Sequence, residues 1–307
     1  MTSARTSLAA LLVGFTVAAC GGSKEPVNDM PPPGDVGMQP TATAEPTALA
    51  TAEPTAPPAP QLPPVELTEG TASAAPEKMP TVAIKAPTAN QVIAADKAAD
   101  FEVKLDVKGW EGSDGRHVHL ILDGKPYMRI DDPKKPIKLK DLDPSGALAE
   151  GQHVLVAFPS RHTHESIKPA GKTSPLAVAT FWIGKKGTPS WKPTDPTLVY
   201  SRPKGANDGP PPPEGLLVDF YLANAELGDG KFSVEATLTG PGAESGIKSK
   251  IKDWKPWRIH NVRDGKYSLH LVLLDKDGKP VPGAWNDSTH DFTVDTTKPP
   301  PPPPPPP

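Results

Sequence analysis

The 307-residue sequence predicts an all-β protein in which two tandem β-sandwich domains follow a long disordered tether. Every aromatic residue except Phe15 lies between positions 101 and 292, which locates the folded part of the chain. Apolar and polar residues alternate there with the two-residue period of a strand. No window in that part holds three turns of helical apolar spacing without proline or glycine.

The first nineteen residues have the order of a secretory signal peptide. A polar segment with Arg5 precedes an apolar run at residues 8–17, which is too short to span a bilayer, and Ala18-Ala19-Cys20 follows. Small residues directly before a cysteine resemble the lipobox of bacterial lipoproteins. The resemblance implies that Cys20 is lipidated and that its acyl chains anchor the protein to a membrane. The alternative is a signal peptide in which the cysteine is incidental.

Residues 20–80 are predicted to be the lipidated cysteine and a disordered linker. Between residues 21 and 80 there are fourteen prolines, many threonines and alanines, and no Phe, Trp or Tyr. Such a composition cannot bury enough apolar area to offset the ordering of its backbone. Proline favours an extended polyproline II spacer, which would hold the domains away from the membrane.

The aromatic-bearing region is predicted to form two domains, residues 81–186 and 187–297, because its second half repeats its first. The segments KPIKL at 135–139 and KPWRI at 255–259 each precede a glycine-led strand. A repeat of roughly 110 residues indicates duplicated domains rather than a solenoid, whose periods are shorter. Short strands separated by frequent turns are typical of an immunoglobulin-like sandwich.

Individual strands are predicted from their alternation. Residues 101–107 (FEVKLDV) alternate strictly, and residues 117–122 (HVHLIL) precede the turn pair Asp123-Gly124. Tyr267, two residues after a glycine, resembles the tyrosine corner of immunoglobulin-like sandwiches, which implies that its hydroxyl bonds back to the preceding loop. His153 occupies the same place in the first repeat. Further strands are predicted at 177–183, 216–222, 232–238, 267–274 and 291–294.

Residues 82–92 (VAIKAPTANQV) resemble the opening strand and turn of bacterial immunoglobulin-like domains. From about residue 81 to residue 294 the chain resembles predicted bacterial lipoproteins with tandem immunoglobulin-like or fibronectin-type-III-like modules. This architecture hosts many unrelated roles, so the resemblance predicts the fold and says little about function. Because no catalytic constellation is recognisable, the leading hypothesis is a non-catalytic structural or binding module that contacts envelope protein or cell-wall polysaccharide. Gly21, rather than an aspartate, follows the lipidated cysteine, which favours the outer over the inner membrane in a Gram-negative cell.

A histidine set in the first domain carries the alternative function, a zinc- or copper-binding lipoprotein. His117 and His119 share one face of a predicted strand, and His162 and His164 follow a later strand. If that loop folds over the face, its nitrogens and Glu165 converge as metal ligands. The competing interpretation is a row of solvent-facing histidines on an open sheet. No other cofactor is expected.

In the second domain, Trp254 and Arg258 are candidate ligand-binding residues, because an exposed indole stacks on sugar rings. Trp257 is expected in the core. A formal net charge of −3 and the lack of a basic stripe argue against nucleic acid as a partner. No catalytic constellation is recognisable, so an enzyme is not expected. Residues 298–307 are predicted to be a disordered polyproline tail.

Overall fold

The computed structural model describes residues 61–110, 113–143, 145–146, 148–169 and 174–300. In these ranges the chain forms strands, one helical turn, α1 (Ala95–Ala98), and two 3₁₀ turns. The prediction of an all-β fold with two immunoglobulin-like sandwiches is confirmed. No helix in the described part has the length and apolar character needed to cross a bilayer. The predicted signal peptide, Cys20, the predicted tether up to residue 60 and residues 301–307 of the predicted tail lie outside the described residues.

The strands of the described residues, in chain order, are β1 (Glu66–Glu69), β2 (Thr81–Ala86), β3 (Gln91–Ile93), β4 (Glu102–Lys108), β5 (His117–Leu122), β6 (Met128–Ile130), β7 (Ile137–Lys138), β8 (Gly151–Ser160), β9 (Ala177–Ile183), β10 (Thr197–Arg202), β11 (Gly205–Asp208), β12 (Leu216–Ala223), β13 (Ser233–Thr239), β14 (Ile247–Ile251), β15 (Trp257–His260), β16 (Gly265–Leu274) and β17 (Asp287–Asp295).

The two sandwiches have the same strand order, except that β1 adds a fourth strand to one sheet of the second. In the first, the sheet β2-β4-β7 faces the sheet β3-β9-β8-β5-β6. In the second, the sheet β1-β15-β12-β10 faces the sheet β11-β17-β16-β13-β14. Strands β3 and β11 each pair in parallel with the last strand of their own sandwich. The sequence repeat is therefore a repeat of topology, and apolar side chains between the sheets form one core in each sandwich.

Strand β1 corrects the predicted extent of the linker. Residues 20–80 were expected to be disordered, yet β1 pairs antiparallel with β15 at the edge of the second sandwich, with Leu67 opposite Ile259. Val65 and Leu67 are buried in the second core. Residues 65–69 alternate apolar and polar side chains, as a short strand does. The prediction missed this strand because it was based on the composition of the whole sixty-residue proline-rich segment.

The tyrosine corner forms as the resemblance implies. The Tyr267 hydroxyl accepts a hydrogen bond from the Arg263 amide at 2.8 Å and donates one to the Pro241 carbonyl at 2.9 Å. Gly240 lies directly beneath the ring with φ of 147°, and a Cβ there would overlap the ring. The corner thus fixes the loop before β16 to the end of β13.

The second sandwich covers the outer face of β5 and β8 in the five-stranded sheet of the first. A third apolar cluster fills this junction, and it includes Ile121 and Phe158 from the first sandwich and Val199 and Tyr221 from the second. The rings of Phe158 and Tyr221 stack with centroids 4.7 Å apart. Because both faces of the sheet are covered, every residue of β5 is buried.

Candidate metal centre

Two histidines lie on the face of β5 that points to the junction. His117 and His119 are two positions apart, so their side chains project to the same side, while Val118 and Leu120 enter the first core. Their relative exposures are 1% and 0%. The alternative of solvent-facing histidines on an open sheet is therefore wrong for this pair, because the second sandwich closes that face.

A tight loop after β8 brings a third imidazole to the pair. The His164 backbone has φ of 68°, in the left-handed region. Its amide donates to the Arg161 carbonyl at 2.9 Å, and the Arg161 amide donates to the Glu165 carbonyl at 2.9 Å. The loop turns back over the sheet, and the rings of His117 and His164 meet edge to face with centroids 4.8 Å apart.

Three ring nitrogens converge to a small triangle. His117 Nε2 lies 3.0 Å from His119 Nε2 and 3.0 Å from His164 Nδ1. The third side, from His119 Nε2 to His164 Nδ1, is 3.4 Å. These three residues are also the group in the described chain whose ligand atoms lie close enough together to share one metal ion.

The outer nitrogens of the β5 pair have partners that orient the rings. His117 Nδ1 lies 2.9 Å from the Gly115 carbonyl, so this nitrogen carries a proton and donates it, which leaves Nε2 with a free lone pair. His119 Nδ1 lies 3.0 Å from the Ser201 hydroxyl, which the second sandwich contributes. Such outer contacts fix the tautomer and direction of a ligating imidazole.

Burial keeps the three imidazoles neutral. It lowers the pKa of His117 from 6.5 to about 4 and that of His164 to about 2, and it lowers the pKa of His119 well below 6.5. The charge of Arg202 lowers each of these pKa values further. Neutral imidazole is the form that binds metal ions, so the cluster needs no deprotonation near neutral pH.

The triangle is close in size to that of three imidazole nitrogens on one metal ion; the 3.4 Å side matches, and the two 3.0 Å sides are slightly shorter. Nitrogens at about 2.0–2.1 Å from a tetrahedral Zn²⁺ lie about 3.3–3.4 Å from one another, and the three observed separations are 3.0–3.4 Å. Lone pairs that face each other at this distance repel unless a proton or a cation lies between them. The set suits zinc, and copper also binds imidazole.

Tyr127 is a fourth potential donor that the sequence analysis did not find. Its hydroxyl lies 3.0 Å from His164 Nδ1, and its ring stacks on His119 with centroids 3.5 Å apart. Burial raises the pKa of Tyr127 to about 12. The strand pairing explains its position. Arg129 lies opposite His119, and Tyr127, two positions before Arg129, has its side chain on the same face.

The remaining residues of the predicted histidine set lie elsewhere. His162 is exposed and lines a separate cavity with Trp110 and Arg116. Glu165 is buried, but its carboxylate accepts hydrogen bonds from the Ser73 amide at 3.0 Å and from the Ser73 hydroxyl at 2.5 Å. The structure thus brings together three of the four histidines, and neither His162 nor Glu165 joins them.

The two candidate ligand-binding residues of the second domain are not neighbours. Trp254 is half-buried, donates from Nε1 to the Phe220 carbonyl at 3.0 Å, and lines one cavity. Arg258 lines a different cavity, and its Nη1 donates to the Gly215 carbonyl at 3.3 Å. Trp257 is buried in the second core, as expected.

No protein-family description and no curated protein matches this sequence. Among solved structures, it is similar to fibronectin(III)-like modules of Clostridium thermocellum CbhA, with 17% identity over 70% of this chain and 94% of that chain and a TM-score of 0.24. A 1.5-MDa bacterial ice-binding adhesin has 13% identity over 73% of this chain and 67% of its own, with a TM-score of 0.23. Bacteroides ovatus SGBP-B, in complex with a mixed-linkage heptasaccharide, has 15% identity over 69% of this chain and 47% of its own, with a TM-score of 0.21. Identities this low say nothing about what this chain binds.

Proposed function

We propose that this chain is a cell-envelope lipoprotein that binds one zinc or copper ion through His117, His119 and His164 and catalyses no reaction. The observation that carries the proposal is the triangle of three neutral imidazole nitrogens, 3.0–3.4 Å apart, in the junction between the sandwiches. A binding role suits this fold, because sandwich frameworks present rigid faces and loops.

The organisation of the site supports metal binding beyond the count of ligands. The backbone carbonyl of Gly115 and the hydroxyl of Ser201 orient the two rings on β5, so little side-chain ordering is needed when an ion binds. His164 is half-buried and lines a cavity, which gives an ion a path to the cluster. Three protein ligands leave a further coordination position for Tyr127 or an external ligand.

The envelope part of the proposal rests on the N-terminal sequence. Arg5, the apolar run at residues 8–17 and the small residues before Cys20 favour export and lipidation. An acylated Cys20 would tie the chain to a membrane, the outer one in a Gram-negative cell, and the proline-rich tether would hold the metal site at a distance from it.

A second candidate partner is envelope protein or cell-wall polysaccharide. The observation that favours it is a cavity of about 570 Å³ lined by the indoles of Trp191 and Trp254. Sugar rings stack on indole faces, and a cavity with two of them offers more than one such surface. Arg258 lies outside this cavity, so it would contribute nothing to such binding.

The proposal is tested by titrating Zn²⁺, and Cu⁺ under reducing conditions, into the full chain with Cys20→Ser, which removes the one thiol of the sequence. We expect one ion per chain and, at a free concentration of a hundred times Kd, a stabilisation of about 2.7 kcal/mol, measured as a rise in Tm. His164→Asn should weaken binding about a hundredfold or more, because asparagine accepts the left-handed backbone but lacks the imidazole.

His162→Asn is the matched control, since it removes an exposed histidine two positions away. It should bind the ion as the parent does. Absence of saturable binding, or equal losses in His162→Asn and His164→Asn, would contradict the proposal.

A further inference from the structure

A cavity of about 350 Å³ opens at the junction beside the histidine cluster. Thr163 and His164 of the first sandwich line one side of it, and Arg202, Asn207 and Arg258 of the second line the other. His164 therefore belongs both to the cluster and to the cavity wall. A small molecule in this cavity lies next to whatever the three histidines hold.

The charged groups of the cavity wall are paired, with one exception. Arg258 lies 4.0 Å from Glu214, and Asp208 lies 3.7 Å from Lys298. The guanidinium of Arg202 has neither a hydrogen bond nor an ion pair within the described part of the chain. Its one defined contact is with the ring of Tyr127, whose centroid is 5.9 Å from Cζ.

An unpaired guanidinium in a largely buried position is costly. Burial lowers the pKa of Arg202, but a guanidinium keeps its proton in proteins, so the charge persists. Five N–H donors in a rigid fork match the two oxygens of a carboxylate or of a tetrahedral oxyanion. An anion of that geometry would engage the donors of Arg202 for which the described part of the chain supplies no acceptor.

The carboxylates around the cavity and the cluster already have basic partners, Asp208 with Lys298, Glu214 with Arg258 and Asp219 with Lys168. The three histidine ligands are neutral, and the ammonium of Lys204 lies 3.9 Å from the centroid of the Tyr127 ring. Asp219, which acts on Arg202 from a distance, is already bonded to Lys168 at 2.6 Å. A metal cation bound to three imidazoles would add more positive charge to this region.

We propose that this cavity is a binding site for a small oxyanion, which the fork of Arg202 holds beside His164. The site accepts the anion in the metal-free protein. Where the proposed metal function holds, the same anion lies next to the metal ion and occupies its open coordination position, so the two bind cooperatively. Only this second part rests on the proposed function.

The test uses the full chain with Cys20→Ser and two probes, sodium acetate as the carboxylate and sodium sulfate as the tetrahedral oxyanion, with chloride as the reference salt. In the metal-free protein, isothermal titration should show saturable binding of at least one probe. Arg202→Gln should weaken it about tenfold or more, and Arg202→Lys should weaken it less, because lysine keeps the charge but not the fork. The zinc-loaded protein should bind that probe more tightly than the metal-free protein.

Arg116→Gln is the matched control, because it removes the same charge at a position outside this cavity that already has a carboxylate partner, Asp114 at 3.4 Å. It should leave anion binding within about twofold of the parent, and circular dichroism checks that each variant is folded. Zinc binding without binding of either probe overturns the anion site alone. Anion binding without zinc binding overturns the proposed function alone. Equal losses in Arg202→Gln and Arg116→Gln overturn the role of Arg202.

Discussion

His153 occupies in the first sandwich the place that Tyr267 holds in the second, and it forms the equivalent bond with a different chemistry. Its Nε2 lies 2.8 Å from the carbonyl of Ala149, four residues upstream. Arg263, whose amide bonds to the Tyr267 hydroxyl, is likewise four residues upstream of Tyr267. The Nδ1 of His153 lies 2.6 Å from the Asp123 carboxylate. Both partners accept, so both nitrogens must donate, and the ring is an imidazolium.

This arrangement makes the stability of the protein depend on pH. Burial opposes the charge, but the Asp123 carboxylate outweighs it and raises the pKa of His153 above 6.5. A raised folded-state pKa contributes stability that is full below the unfolded pKa and is lost as the pH rises through the folded value. His153→Gln should therefore reduce the free energy of unfolding by about 1.5–3 kcal/mol at pH 6, and by clearly less at pH 9.

Urea unfolding at both pH values gives the difference in free energy of unfolding between the parent and His153→Gln. Groups that titrate in the same way in both proteins do not contribute to this difference. His162→Gln changes an exposed histidine and should leave the difference near zero at either pH. A loss in His153→Gln that is the same at pH 6 and pH 9 would show that the ring is neutral in the folded protein.

At the scale of elements, alternation predicted the strands that have one core face. β4 and β16 follow their polar-apolar pattern, and Asp123-Gly124 forms the hairpin turn after β5, with φ of 52° and 70°. β1 was missed because four residues inside a proline-rich segment carry too little pattern. Its strand conformation depends on β15, which lies far along the chain, so the local sequence alone does not determine it.

Only the part of the candidate site that depends on local sequence pattern could be predicted. The two-residue period put His117 and His119 on one face, and the loop after β8 was expected to bring further histidines to it. Which loop histidine arrives depends on the left-handed turn at His164. Ser201 and Arg202 come from the second sandwich, so their presence follows from domain packing, for which the sequence has no periodic signal.

If β1 is a folded strand rather than part of a disordered tether, a substitution in it should change the stability of the protein. Leu67→Ala should reduce the free energy of unfolding by about 2–4 kcal/mol, because the side chain is 6% exposed and packs in the second core. Urea unfolding measures the loss, and hydrogen exchange should show it first in β15. Glu66→Ala, on the exposed face of the same strand, is the control and should cost less than about 0.5 kcal/mol. Equal, small effects of the two would mean that β1 does not contribute to folding.

At the scale of the whole molecule, a polar clamp accompanies the apolar junction. Lys168 of the first sandwich donates to Asp219 of the second at 2.6 Å, to the Ser166 hydroxyl at 2.6 Å and to the Phe220 carbonyl at 2.8 Å. All three ammonium donors are thus used. Asp219 and Phe220, which accept from Lys168, lie on β12. This strand is next to β10, which carries Ser201.

Removing one partner of this clamp should weaken both stability and metal binding. Asp219→Asn leaves the Lys168 charge without its carboxylate and should cost about 3 kcal/mol in urea unfolding. It should also weaken zinc binding, since a looser junction no longer holds Ser201 against His119. Asp291→Asn breaks an exposed pair with Lys266 and should cost less than about 1 kcal/mol with unchanged zinc affinity. Similar values for the two variants would rule out a special role for the clamp.

The position of β1 also governs the order in which the fold can be completed. Because a polypeptide is made from its N-terminus, β1 remains without its hydrogen-bonding neighbour until β15 has been synthesised. A fragment of residues 187–297 alone would lack β1 and would leave one edge of β15 unpaired. Such an edge can pair with another chain. Although β1 precedes the first sandwich in the chain, it therefore completes a sheet of the second sandwich, which is synthesised later.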